Sequence, residues 1–316
     1  MAVTLIEASA IAMGADETLK AGLIQVFSES SPLLDAMVFE NISGNSFTWV
    51  QEADLPSTAF RGINEGYTAS EGKVEQRTEV LKIAGGYIDI DKFLVKTGGP
   101  NQLDTQTSMK TKSLALSLAK KIIKGDNTTY PKEFDGLQNR CTGTSQLVHN
   151  ATAGGAGLSL LKLDEAIDNV DMPTHLIMNK THLRLLSAAT RSTSVAGTIT
   201  FEMDAMGRRV ARYADLPIII VGKDETNTEV LGFTEESYNT SAWSSGDADS
   251  ASIYCVSIGT EGLHMIQNGM MEATFLGELQ TSPVYRTEIE WYVSLANVVD
   301  DCICRLSSVE NSAVTA

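Results

Sequence analysis

The chain has 316 residues, 43% hydrophobic and 20% charged, enough apolar material for about two domains and a sizeable core. Its 24 basic and 40 acidic residues give a formal charge of −16 and a pI near 4.7. Such a field repels nucleic acid and anionic membranes, so a DNA-reading module is a poor first guess. No apolar run is long enough to span a bilayer, and MAVTLIEASAIAMGADETLK has no basic start ahead of an apolar stretch, so folding in a cytosol is expected. Cys141, Cys255, Cys302 and Cys304 lack the paired spacing of a zinc site and read as four buried, reduced thiols.

Residues 1–45 read as an arm. In ETLKAGLIQVFSESSPLL, Leu19, Leu23, Ile24, Val26 and Phe27 fit one helical face loosely, and Ser31-Pro32 ends the segment. Residues 46–92 change character. An alternating strand, Phe47-Thr-Trp-Val, opens the stretch and another, Tyr87-Ile-Asp-Ile-Asp, closes it. Between them the chain is rich in Gly, Ser and Thr, and Gln51 to Lys96 holds eight acids and six bases. Connections this long are functional or disordered, and the strand-like ends predict a long two-stranded flap reaching away from the body. An isolated ribbon is marginal in water, so this one needs another surface to lie on.

Residues 93–132 contain the clearest helix, Asn101 to Lys124. Leu114, Leu118 and Ile122 recur every fourth residue, with Ala115, Ala119 and Ile123 beside them. Gly98-Gly99-Pro100 precedes it and Gly125-Asp126-Asn127 stops it. Lys110, Lys112, Lys120, Lys121 and Lys124 against Asp104 make this helix locally basic. They suit a solvated face that favours the helix C-terminus, or a stripe turned to an anionic partner.

Residues 133–270 alternate between helix and strand. YPKEFDGLQNRC reads as a turn and short strand, Leu160 to Val170 as a helix, His175 to Met178 as a strand and Thr181 to Ala189 as a helix. YADLPIIIVG, Tyr213 to Gly222, reads as one strand buried on both faces. Asp224 to Asp249 carries seven acids and no base, a solvated excursion interrupted by a short strand at Val230-Leu-Gly-Phe. Ile253 to Ile258 is a strand. Residues 271–316 alternate for most of their length and close with LANVVDDCICRL.

Motifs that carry chemistry are missing: no G-x-x-x-x-G-K-[ST], no G-x-S-x-G and no H-E-x-x-H. GGAG at 154–157 lacks dinucleotide-binding spacing and reads as a loop. Asp300 and Asp301, adjacent on a strand, face opposite ways; Asp89 and Asp91 share a face with no histidine nearby. THLIMNKTHLRLL places His175 and His182 seven positions apart, which a soluble α/β enzyme could use as ligands or as acid and base. Yet His175 begins a strand, while His182 lies in the first turn of a helix capped by Asn179. A structural role is the better reading, so no catalytic, cofactor-binding or metal residue is assigned and no cofactor is expected.

Several segments resemble, in order, the major capsid proteins of tailed bacteriophages. Leu176-Ile-Met-Asn-Lys-Thr-His-Leu is similar to that family's strand ending in Met-Asn before a helix, with Lys180 in place of the usual proline. The strand-flanked loop resembles the family's extended loop, and the helix at 103–124 its spine helix. Phe134-Asp-Gly-Leu, Leu216-Pro-Ile-Ile-Ile-Val and Arg286-Thr-Glu-Ile-Glu-Trp-Tyr-Val-Ser-Leu-Ala-Asn-Val resemble three further elements.

The resemblance implies an α+β, Hong Kong 97-type capsid fold. Its parts would be an N-terminal arm (1–45), an extended β-hairpin loop (46–92), a peripheral domain with spine helix and β-sheet (93–132, completed by return strands in 271–316) and an axial α/β domain (133–270). It implies a subunit of an icosahedral shell around double-stranded DNA, self-assembled as hexamers and pentamers in a host cytoplasm, with scaffolding, portal and decoration proteins as further partners and no membrane. The arm begins almost at residue 1, so any scaffold is expected as a separate protein. The lysine–asparagine cross-link of some members is not carried over, since nothing beyond Lys73 matches it. In the shell, Arg61, Lys73 and Arg77 would meet acids of a neighbouring copy, and Glu65, Glu71 and Glu75 would meet bases. Acidity on the inner surface would keep packaged DNA from adhering, without sequence-specific binding. An encapsulin-like nanocompartment protein is the alternative on the same fold.

Overall fold

A computed structural model describes residues 2–3, 31–98, 101–151, 154–191, 199–203, 209–239, 242–244 and 249–315. Most of the helical segment read before Ser31 lies outside these residues. The chain forms two large sheets, and a long helix packs against the first.

The first sheet follows from the alternation near the C-terminus. Strand β16 (Val284–Asn297) turns Thr287, Ile289, Trp291 and Val293 inward and leaves Glu288, Glu290 and Tyr292 outward. It is flanked by β5 (Lys82–Asp91) on one side, and by β15 (Glu272–Glu278) and β14 (Leu263–Gln267) on the other, all antiparallel. Beyond β14 come β2 (Phe39–Asn41) and β1 (Ala2–Val3). Helix α1 (Pro32–Ala36) precedes β2, and α2 (Lys92–Gly98) follows β5. The inner face is covered by α3 (Asn101–Lys124), where Ala115, Leu118, Ala119, Ile122 and Ile123 are buried. Each large side chain so buried contributes about 1.5–3 kcal/mol.

What stops α3 is a close backbone crossing. Gly125 N bonds to Lys121 O at 2.8 Å, and Gly136 N donates to Gly125 O at 2.9 Å. A Cβ on Gly136 would lie 2.6 Å from Gly125 N, and one on Gly125 would lie 2.4 Å from Phe134 O, so only glycines allow the pass. Past it, α4 (Leu137–Arg140) stands where a short strand was expected. Leu137 is buried in the core from a single helical turn, and one apolar residue in four carries no period that tells helix from strand.

The second sheet has the order β6-β17-β13-β7-β10-β9-β8. Its strands are β6 (Leu147–His149), β7 (His175–Met178), β8 (Ile199–Met203), β9 (Arg209–Tyr213), β10 (Leu216–Ile220), β13 (Ser250–Val256) and β17 (Ile303–Glu310). Strand β13 is buried at every residue. Helices α5 (Leu160–Asp168) and α6 (Lys180–Ala189) cover this sheet through Leu163, Ala166 and Leu186. Tyr213 to Gly222 is two strands rather than one. Ala214 and Asp215 take φ of 47° and 65°, reversing the chain in a two-residue turn that non-glycine residues seldom form.

The acidic excursion also differs from expectation. Val230 and Leu231 are buried in a turn, not a strand, and a small hairpin forms instead between β11 (Ser237–Asn239) and β12 (Ala242–Ser244). Two of its acids are buried: Asp224 receives Lys120 Nζ at 2.9 Å, and Glu235 receives Arg305 Nη2 at 2.9 Å and Lys124 Nζ at 3.1 Å. The four cysteines are free and buried, and burial pushes each thiol up to about 12. Asp300 and Asp301 lie in a 3-10 turn between β16 and β17 rather than on a strand.

Candidate assembly surface

The flap is shorter than expected: β3 (Ser46–Asp54) pairs with β4 (Lys73–Val80) in a two-stranded sheet of their own, while the Tyr87 strand expected to close it lies in β5, paired with β16 in the first sheet. Its period-two pattern gives it a body side and an outer side. On the body side, Phe47 meets the His264 ring edge-on at 5.6 Å, and Trp49 Nε1 donates to Val298 O at 3.1 Å. On the outer side Thr48 and Thr78 face each other, their hydroxyls 3.2 Å apart.

Only the root of the ribbon is tied down. Arg77 forms a two-pronged pair with Asp300, Nη1 to Oδ1 at 2.6 Å and Nη2 to Oδ2 at 3.0 Å. Glu79 is bonded by Arg140 at 2.8 Å. Between these ties lies a polar cleft of about 1010 Å³, lined by Trp49 to Glu52, Arg77 to Glu79, the 139–146 turn and Asn297 to Asp301.

The tip, residues 55–72, has no regular secondary structure and is exposed throughout. Asn64, at φ 66°, closes a small turn: Gly62 N donates to Glu65 Oε2 at 2.9 Å, and Arg61 donates to Glu65 O at 3.2 Å while its guanidinium lies 5.3 Å from the Tyr67 ring. Leu55, Phe60, Ile63 and Tyr67 project into solvent, and Ile63 is 95% exposed. Four large apolar side chains on one short loop are thus left uncovered by the described residues.

The six sequence-predicted contact residues therefore separate. Arg61, Glu65, Glu71, Lys73 and Glu75 lie on the tip or the outer half of the ribbon, Lys73 beside Asp54 at 3.4 Å. Arg77 sits at the root, bound to Asp300 of its own chain and 3.8 Å from Glu75. The reading from charge passed over Phe60, Ile63 and Leu55; isolated apolar residues inside a long polar connection were the available signal. The lysines of α3 split likewise. Lys120, Lys121 and Lys124 pair with Asp224, Glu133 and Glu235 of the same chain, which spends the C-terminal half of the basic stripe internally.

The two histidines have separate surroundings. His175 Nδ1 lies 3.0 Å from Thr174 Oγ1, and burial followed by the charge of Arg212 lowers its pKa. His182 is fully buried with its ring 5.0 Å from Phe233; burial pushes it down to about 4, against a smaller opposing effect of Glu235. Its backbone N, not its ring, is engaged, donating to Asn179 Oδ1 at 2.7 Å as the expected N-cap. Among the described residues no three His, Cys, Asp or Glu side chains are grouped to hold a metal ion.

Comparison with known proteins settles the fold. The sequence family described as Major capsid protein GP7 matches residues 15–161. The structure is similar to the Microbacterium phage Oxtober96 structure, with TM-score 0.63 and 11% identity over 90% of this chain and 91% of that one. It is also similar to Mycobacterium phage Adephagia, with TM-score 0.59 and 10% identity over 90% of each chain. The SrpI encapsulin complex of Synechococcus elongatus PCC 7942 gives 0.62 and 14%, covering 90% and 89%. This is the Hong Kong 97-type capsid fold. No curated protein is similar in sequence at a significant level. The chain shares the fold of these proteins along nearly its whole length, while the sequence match to the capsid family covers a little under half of it.

Proposed function

We propose that this protein is the major capsid subunit of a tailed bacteriophage, tiling with copies of itself into a closed shell around double-stranded DNA. The observation that carries this reading is the ribbon: it is anchored at its root and ends in a tip whose apolar side chains no described residue covers. A tip of that kind has its partner surface on a neighbouring copy. Arg61, Glu65, Glu71, Lys73 and Glu75 then set its register there, in hexamers and pentamers, and the subunit catalyses no reaction. Assembly takes place in the host cytoplasm, with scaffolding, portal and decoration proteins as further partners.

Electron microscopy of the purified chain tests this directly, and uniform hollow particles are expected. Deleting residues 55–74 should leave a folded subunit that forms none; closed particles from the deletion would sink the ribbon's role. The encapsulin-like reading shares the fold and is favoured by the SrpI similarity. Particles purified from the native source decide between them, since a shell holding a cargo enzyme and no DNA belongs to the second class.

A further inference from the structure

We propose that the Arg77–Asp300 pair sets the angle at which the ribbon leaves the body, and through it the curvature of the assembled shell. This rests on the shell reading above. The first support is how little else fixes the angle. Strands β3 and β4 share no sheet hydrogen bonds with the rest of the fold, and the cleft of about 1010 Å³ separates them from the 139–146 turn. Beyond the Phe47 contact with His264 at the root, a few polar ties fix direction.

The second support is the build of the two legs. Gly44, at φ +114°, adopts a backbone conformation suited to glycine, and its carbonyl accepts from Asn268 Nδ2 at 2.9 Å, so this leg turns at one bonded residue. The other leg is Leu81 alone, set between β4 and β5, with its N bonded to Asn45 O at 2.9 Å. Both legs therefore converge on one short pivot.

The third support is the geometry of the tie. Trp49 meets a lone backbone carbonyl and Glu79 takes a single contact from Arg140, so each tolerates rotation. Arg77 and Asp300 are joined by two roughly parallel bonds, which fix direction as well as distance. Asp300 sits in the turn joining β16 of the first sheet to β17 of the second, so the ribbon is referred to the junction of the two sheets. Both side chains are more than a third exposed, so the pair adds little to subunit stability. A closed shell built from one chain places its copies in differently curved surroundings, and a pivot held by one directional tie is a means of choosing among them.

Arg77→Ala, Arg77→Lys and the exchanged pair Arg77→Asp with Asp300→Arg are to be compared with the parent, using cryo-electron microscopy for particle diameter and thermal melting of the unassembled subunit. The parent should give one diameter class. Arg77→Ala should melt close to the parent yet give mixed diameters or open sheets. Arg77→Lys, keeping the charge but losing the fork, should fall nearer to Arg77→Ala, and the exchanged pair should return a single class. Should Arg77→Ala fail to fold, the exchanged pair decides alone. Unchanged diameters in Arg77→Ala, or an exchanged pair that stays mixed, overturn the angle-setting role while leaving the shell reading intact. A parent that forms no particles overturns both.

Discussion

Replacing His182 with Phe distinguishes a packed histidine from a chemical one, and its size can be worked out. The folded chain holds this ring at about 4, against an ordinary 6.5, because burial disfavours the charged form. The unfolded chain takes up the proton below about 6.5, while the folded chain resists it until about 4. The stability this ring protects is therefore complete above pH 6.5 and is lost as the pH falls toward 4. Between pH 7 and pH 4.5 the loss is about 2.5 kcal/mol. Phe fills the same space against Phe233, and the Asn179 cap survives because it uses the backbone N. At pH 7 the variant should match or exceed the parent, since neither ring nitrogen has a hydrogen-bond partner among the described residues. Urea denaturation of the unassembled subunit at both pH values gives the two differences. His149, His175 and His264 also resist protonation and add to the parent's acid loss, but they cancel when parent and variant are compared. Equal acid sensitivity in parent and variant would refute the buried, neutral ring. A turnover activity abolished by the change would revive an enzyme built on His175 and His182.

Glu235→Gln should cost about 3 kcal/mol in urea denaturation at pH 7, because Arg305 and Lys124 keep their charges beside a neutral amide. In the parent, burial pushes the Glu235 carboxyl up, but Arg305, Lys124 and Ser252 outweigh it, leaving it below its usual 4.5. The stabilisation is thus present above about pH 4.5 and fades as the pH falls further, and a variant whose deficit persists unchanged at pH 3 would contradict this. The double change Phe60→Ser and Ile63→Ser should leave the subunit's melting unchanged, since neither side chain packs on its own chain, while abolishing closed particles in electron micrographs. Normal particles from that variant would show that the tip's apolar residues do not drive assembly.

Elements with a long or strong period were legible in the sequence. Asn101 to Lys124 has the predicted bounds because its apolar residues repeat every fourth position and glycines close it. His175 to Met178 and the helix after it were legible because Asn179 marks the boundary chemically. Short elements were not. Leu137 to Arg140 and the Val230 turn bury apolar residues through tertiary contacts that no local period encodes. The break at Ala214-Asp215 was hidden because it uses left-handed residues without the glycine or asparagine that would announce a turn. At the candidate surface, charge singled out Arg77 among the ribbon's residues but not the pair it makes within its own chain. Its partner Asp300 is more than two hundred residues away in sequence, and pairing at that distance cannot be read from a local pattern.

The energetics of the tip explain why such a segment can build a shell without strong bonds. An exposed ion pair between copies contributes about 0–1 kcal/mol, so Arg61, Glu65, Glu71, Lys73 and Glu75 cannot hold the assembly by themselves. Burying an exposed Leu, Phe or Ile contributes about 1.5–3 kcal/mol, and the tip offers Leu55, Phe60 and Ile63 together. Their sum must still offset the lost freedom of the joined subunits and the ordering of the tip, so each contact remains weak and reversible. Reversibility lets a misplaced subunit leave before the shell closes, while many copies making the same contact bring closure. On the proposed shell reading the charges act on register: with both signs interleaved along the ribbon, a displaced neighbour would meet like charges, which disfavours wrong pairings.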